Sequence, residues 1–199
     1  MNYYYARFVA AHNEPFRLET RIYLEGTQKA QSEEDGVCVA AIVGKNPGSA
    51  YPTQLNEWAS LVPGKDKMLP YVRNRFLEGY RLARKAIPHG AFVRVWNFFY
   101  LCNKELDLAI ASHSKIAPKV PICPSEKIIP KIVWFAWGGF DLRLNLFKAR
   151  FSKMNVGRPF FFDKNSGNIV ERTPSEIDFA KHTQGLRGKP IEEYLASIL

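Results

Sequence analysis

Residues 37–49, VCVAAIVGKNPGS, restrict the fold more than any other stretch of the chain. From Val37 to Val43 only small or branched apolar residues occur, and the run stops at Gly44. A strand covered on both faces reads this way, without the alternation of a half-exposed one. The loop that follows is stiff. Gly44 and Gly48 permit backbone conformations that other residues avoid, while Pro47 fixes its own φ and drives Asn46 out of the helical region. The short polar side chain of Asn46 is thereby expected at the carboxyl end of a central strand, where open α/β sheets keep their ligand sites. Asn-Pro-Gly also makes an ordinary tight turn, and these residues alone leave the two readings level.

Two further apolar segments end on a comparable punctuation. AFVRVWNFFYLCN carries Asn97 inside an apolar run, and KIVWFAWGGFD stops at Gly138. A buried amide must be hydrogen-bonded to be tolerated, so Asn97 reads either as a satisfied internal side chain or as one kept for a ligand. PFFFD near residue 160 is expected to form a fourth strand. Helical periodicity separates these segments. It places Val72, Phe76 and Tyr80 on one face of a helix, with Arg73, Arg75, Arg81, Arg84 and Lys85 over much of the remainder. KELDLAIASHSKI and DLRLNLFKARFSKMNVG read as two more helices, and residues 190–199 as a capping helix. AYPTQLNEWASL is expected to be a short helix capped by Thr53.

Strands alternating with helix-length crossovers imply an α/β fold, a three-layer α/β/α sandwich around a mostly parallel sheet of about four strands. The opening strands, Tyr3–Ala10 and Leu18–Leu24, then form an N-terminal pair that extends one edge. The chain of 199 residues is expected to make one domain, with residues 1–36 as an extension of it.

Charge and motifs narrow the chemistry. The net charge of +9 divides almost evenly between the halves, so no basic tail is set apart, and it favours polyanionic partners or serves solubility alone. The Arg and Lys positions of residues 73–85 and 143–153 read as solvated helix faces or as phosphate contacts. Cys38, Cys102 and Cys123 form no CxxC pair and have no matching histidine cluster, so neither a metal nor a cofactor is expected. The polar start and the lack of a long apolar run imply a cytoplasmic chain without a membrane partner. GxxxxGK[ST] and GxGxxG are both missing, which removes the nucleotide-hydrolase and dinucleotide classes. No paired carboxylates or Ser-His-Asp order stands out.

Taken in order, GKNPGS after a strand, the N97FF strand end, WGG after a third strand, and TQGLRGKPIEEYL near the carboxyl end resemble the uracil-DNA glycosylase superfamily. The likeness is closest to its mismatch-specific branch, with a GxNPG first motif, and to bacterial and phage proteins with an Asn-Pro-Ser or Asn-Pro-Gly loop. It covers roughly residues 37–199. It implies a DNA-repair hydrolase that flips a damaged, modified or mismatched base out of DNA and cleaves its glycosidic bond. The residue matching Asn46 would place the attacking water, and Gly48 stands where stricter uracil enzymes have a tyrosine. Asn97 would read the base, with Phe98 or Phe99 stacking on it. Gly44, Lys45, Pro47, Ser49, Gly138 and Lys189 would complete the binding surface, and Arg73, Arg81, Arg84, Arg143 and Lys148 would meet the DNA backbone.

One departure touches the chemistry. Active members carry His-Pro where this chain reads Gly188, Lys189, Pro190, followed by Glu192 and Glu193. His182, several residues earlier, is the remaining histidine of that region and substitutes only if its loop folds back. Glu192 and Glu193 would repel phosphate, and also suit the first turn of a last helix. The sequence therefore supports a monofunctional DNA glycosylase, a protein that keeps the fold to bind DNA or a nucleobase without turnover, or a protein-interaction module of phage or host.

Overall fold

The computed structural model describes residues 1–30, 36–46, 57–62, 67–103, 105–117 and 119–199. Its frame is one mixed sheet of eight strands in the order β4-β1-β2-β5-β3-β6-β7-β8. Four of them run parallel at the centre: β5 (Phe92–Asn97), β3 (Cys38–Gly44), β6 (Ile132–Phe135) and β7 (Arg158–Phe162). The others are antiparallel. β2 (Glu14–Thr27) pairs β5, β1 (Asn2–Ala11) pairs β2, β4 (Trp58–Ser60) pairs β1, and β8 (Ile169–Val170) closes the far edge on β7.

This corrects the expected mostly parallel sheet of about four strands. Half the strands are antiparallel additions, so the sheet is mixed and wider than the expected core with its N-terminal pair. The opening residues are part of the sheet, since β2 pairs Thr20–Tyr23 with Val95–Phe92 of β5. Two local features make them fit. His12 and Asn13 both take positive φ, 55° and 62°, in a two-residue hairpin between Ala11 and Glu14, the left-handed geometry whose twist matches its strands. Glu19, at φ 51°, sits at a break in β2 where the side-chain alternation changes phase. Phe16 and Leu18 before it pack into one core cluster, Ile22 and Leu24 after it into the other. The short helix expected over residues 50–61 is also corrected: Trp58 and Ala59 lie in β4, paired with Arg7 and Ala6. Residues 51–56, including Thr53, lie outside the described residues.

Among the described residues, each face of the sheet carries two α-helices. On one, Leu69, Val72 and Phe76 of α1 (Met68–Leu82) and Ile191 and Leu195 of α4 (Lys189–Ile198) cover Ala40, Ile42, Val93, Val95 and Trp134. On the other, α2 (Leu106–Ile116) and α3 (Asn145–Ser152) cover Ala41, Val43, Trp96, Val133 and Phe135. α1 and α4 pack closely because Gly79 has no side chain; a Cβ there would stand 2.8 Å from Leu195 Cβ. α1 runs against the parallel strands. Met68, at its start, lies beside Gly44 at their carboxyl edge, while Tyr80 and the following Lys85 lie with Val37 at their amino edge.

Candidate functional site

At the carboxyl edge, Gly44 of β3 faces Asn97 of β5 in register. The two chains stay zipped beyond the strands, with Phe98 N donating to Gly44 O and Phe99 N to Lys45 O. A Cβ on Gly44 would lie 3.1 Å from Asn97 Oδ1 and 3.8 Å from Met68 Sδ. The amide of Asn97 therefore occupies the space that a side chain at position 44 would take, on the face covered by α1. Asn97 is 1% exposed, and among the described residues neither its Oδ1 nor its Nδ2 has a hydrogen-bond partner. A buried amide left this way costs about 1–3 kcal/mol.

The first turn of α1 adds polarity. Its N-cap residue, Lys67, makes no side-chain cap, and no acidic residue occupies that turn. Among the described residues no carboxylate compensates the positive end of the helix dipole there. One strand over, Gly138 takes φ +89°, and the space beside it is filled by Lys45, whose Cε and Nζ lie 3.1 and 3.2 Å from where a Cβ would stand. Two glycines at neighbouring strand ends thus make room for two polar side chains. Lys148 reaches the same region from α3. It is fully buried and donates to Glu176 O at 2.7 Å and Gly139 O at 3.2 Å. Burial, then the charge of Lys45, pushes its ammonium below the ordinary lysine range. Asp141 is held low by hydrogen bonds from Arg143.

Asn46 donates an amide N–H to Asn103 O, tying the end of β3 to the segment after β5. His182 is half-buried, and its Nδ1 accepts from Gln184 N at 3.2 Å. Its segment is anchored twice. Gly138 N donates to Ala180 O at 2.7 Å, and Tyr71 Oη of α1 donates to Leu186 O at 3.1 Å. His182 is thus carried between the end of β6 and the amino-terminal half of α1. Pro47, Gly48 and Ser49 lie outside the described residues.

The aromatic and basic expectations change most. Phe98 and Phe99 are each 1% exposed and built into the second face: Phe98 packs on Trp137 at 5.2 Å, Phe99 on Phe147 at 4.3 Å. They stack on protein, so neither presents a ring to a base. Arg73 is a clamp on the sheet, donating to Tyr23 O at 3.2 Å and Leu24 O at 2.7 Å and lying over the Tyr3 ring. Arg143 is held by Asp107 and Asp141, and Arg81 by Glu78. Arg84 is exposed, but it follows the end of α1, a helix about 22 Å long, and so lies toward the amino edge. Lys148 is internal. These five residues form no common phosphate-facing surface beside Asn97. Lys189 is exposed at the start of α4 and faces Glu193, while Glu192 pairs with Arg75, so both carboxylates have partners away from Asn97.

Sequence reasoning missed Met68 and the burial of Lys148. A lysine in an amphipathic helix carries no local sign that two carbonyls await it. Among the described residues no group of His, Cys, Asp and Glu side chains is arranged to hold a metal ion. None of their helices is long and apolar enough to cross a membrane. The chain matches no protein-family model, no curated protein and no solved structure. The likeness to the uracil-DNA glycosylase superfamily rests on its four short segments alone.

Proposed function

We propose that the protein binds a nucleobase, presented by a DNA strand or as part of a smaller ligand, at the carboxyl edge between β3 and β5. One observation carries this reading: the amide of Asn97 is buried, aimed at the gap over Gly44, and without a partner among the described residues. An amide offers a donor and an acceptor side by side, which is the pattern on the edge of a nucleobase. Occupation by such an edge would satisfy both atoms at once. Lys45 and the uncapped start of α1 favour a carbonyl or phosphate oxygen nearby. The net charge of +9 favours an anionic carrier of the base.

Binding without turnover fits the chemistry better than hydrolysis. Splitting an N-glycosidic bond requires an oriented water and a donor for the departing base. The amide oxygen of Asn46 is an acceptor suited to orienting a water, but an amide has no pKa suited to removing its proton. Glu192 and Glu193 are turned to Arg75 and Lys189. The acceptor on Asn46 is the observation that favours the second reading, a monofunctional DNA glycosylase.

Fluorescence titration of oligonucleotides carrying uracil, hypoxanthine, a mismatch or an alkylated base, run beside an incision assay, tests both. Saturable binding at low salt is expected, weakened in Asn97→Ala by about 1–3 kcal/mol, the worth of a bidentate base contact. No binding to any oligonucleotide or free base overturns the proposal. Incision that disappears in Asn46→Ala with affinity retained would establish the glycosylase instead.

A further inference from the structure

A cavity lies at the opposite, amino edge of the parallel strands, about 20 Å from Asn97 along β3. Its volume is about 710 Å³, within the range of small-molecule sites. Three strand starts form its floor: Val37 to Val39 leading into β3, Lys131 and Ile132 at β6, and Gly157 and Arg158 at β7. Tyr80, Lys85 and Pro88, in and after α1, and Ile198 and Leu199, at the end of α4, form its walls. Gly157 is required for this arrangement. A Cβ there would fall 2.5 Å from Lys131 O, and Arg158 N donates to that same carbonyl at 2.8 Å. The close approach sets Lys131 and Arg158 on adjacent strands at one rim. Lys85 is delivered by the turn that ends α1, where Arg84 takes φ +54° and Lys85 N donates to Tyr80 O.

The lining separates into two kinds of surface. Val39, Tyr80, Ile132, Ile198 and Leu199 are apolar or aromatic, whereas Lys85, Lys131 and Arg158 are three cationic residues among the lining. Those cations are exposed, and among the described residues none of them has an ion pair. Gathering three like charges on one concavity costs repulsion that a multiply charged anion would relieve. We propose that this cavity binds a phosphate monoester whose organic group is apolar or aromatic. The phosphate, with a charge near −2 at neutral pH, meets Arg158, Lys131 and Lys85, and the organic group lies on Tyr80, Val39 and Ile132. A free nucleotide and the 5′-phosphate end of a nucleic-acid strand present the same chemistry.

Cys38 supplies a readout in the wild-type protein, because it is half-buried in the cavity lining while Cys102 and Cys123 are 3% and 1% exposed. Titration calorimetry with adenosine 5′-monophosphate, phenyl phosphate, adenosine and inorganic phosphate measures binding directly, and alkylation of Cys38 followed by peptide mass spectrometry locates it. Expected are saturable binding of both monoesters, weaker binding of inorganic phosphate, and protection of Cys38 by the monoesters but not by adenosine. Lys131→Gln and Arg158→Gln, both at exposed positions, should each weaken binding by about tenfold or more. Lys131→Arg should retain it. A 5′-phosphorylated oligonucleotide that competes with adenosine 5′-monophosphate identifies a strand end as the source, and failure to compete identifies a small molecule. The proposal is overturned if neither monoester binds, if adenosine protects Cys38 as well as its phosphate does, or if binding of phenyl phosphate survives the double Gln variant. Phenyl phosphate carries no nucleobase and Cys38 lies in this cavity alone, so these two readouts do not depend on base binding at the other edge.

Discussion

Asn97 Oδ1 stands 3.1 Å from the point where a Cβ on Gly44 would lie, so the identity of residue 44 decides how much room the Asn97 amide has. Contact at that distance is tighter than most real Cβ contacts, and the amide must give way by a few tenths of an ångström. In Gly44→Ala the fold should survive with a loss of about 1 kcal/mol or less. Base binding should fall by about tenfold, since small displacements of a positioning amide are costly. Thermal unfolding and oligonucleotide titration of the same sample check the two effects separately.

Asn97 itself should trade stability against binding. Its amide is desolvated without hydrogen bonds among the described residues, so an apolar residue of similar volume removes a penalty. Asn97→Leu is expected to raise the denaturation midpoint, by about 1–2 kcal/mol in unfolding free energy, while abolishing base binding. A fall in stability of that size would show that the amide is satisfied within the fold and is no ligand contact.

Arg73 should behave as a structural residue. Its guanidinium bonds two carbonyls of β2 and covers Tyr3, so Arg73→Ala leaves Tyr23 O and Leu24 O without that donor. A loss of about 2 kcal/mol in urea unfolding is expected. The salt dependence of any DNA binding should stay unchanged, whereas a phosphate contact would reduce its slope by about one.

The loop leading to His182 should loosen in acid. Arg172 and then Ser175 hydrogen-bond Asp178 and lower its pKa from 3.8 to about 2. A carboxylate depressed in the folded state contributes stability that is complete above its unfolded pKa and is lost as pH falls from about 4 through about 2. The pair is partly open to solvent, with Arg172 52% exposed, so the contribution is about 1 kcal/mol. Asp178→Asn should cost that amount at pH 7, and the difference from wild type should vanish near pH 2. Chemical unfolding followed across pH measures both limits.

The parallel centre of the sheet was legible because burial on both faces writes itself into consecutive residues. VCVAAIV, FVRVW and IVWF need no partner in view to read as strands, and α1 shows its inward face through the spacing of Val72, Phe76 and Tyr80. Gly44, Asn97 and Gly138 followed from the same runs, since each interrupts one at its end. Which neighbours those ends acquire is set by pairing between distant segments, and single residues do not encode it. Trp58 and Ala59 suit a helix by spacing, but β1 offered an open edge, and its hydrogen bonds made them a strand. Phe98 and Phe99 follow a ligand-bearing strand end, yet the aromatic cluster around Trp137 and Phe147 drew both rings inward. Lys148 carries a charge that the sequence assigns to water; two carbonyls brought together by the loops around Gly139 and Glu176 hold it inside. The sequence by itself determined the parallel strands, their stops and the net charge, because those depend on local composition and period. Only the tertiary structure decided which polar groups were left without partners and which cations share a cavity, because both depend on contacts between residues far apart in the chain.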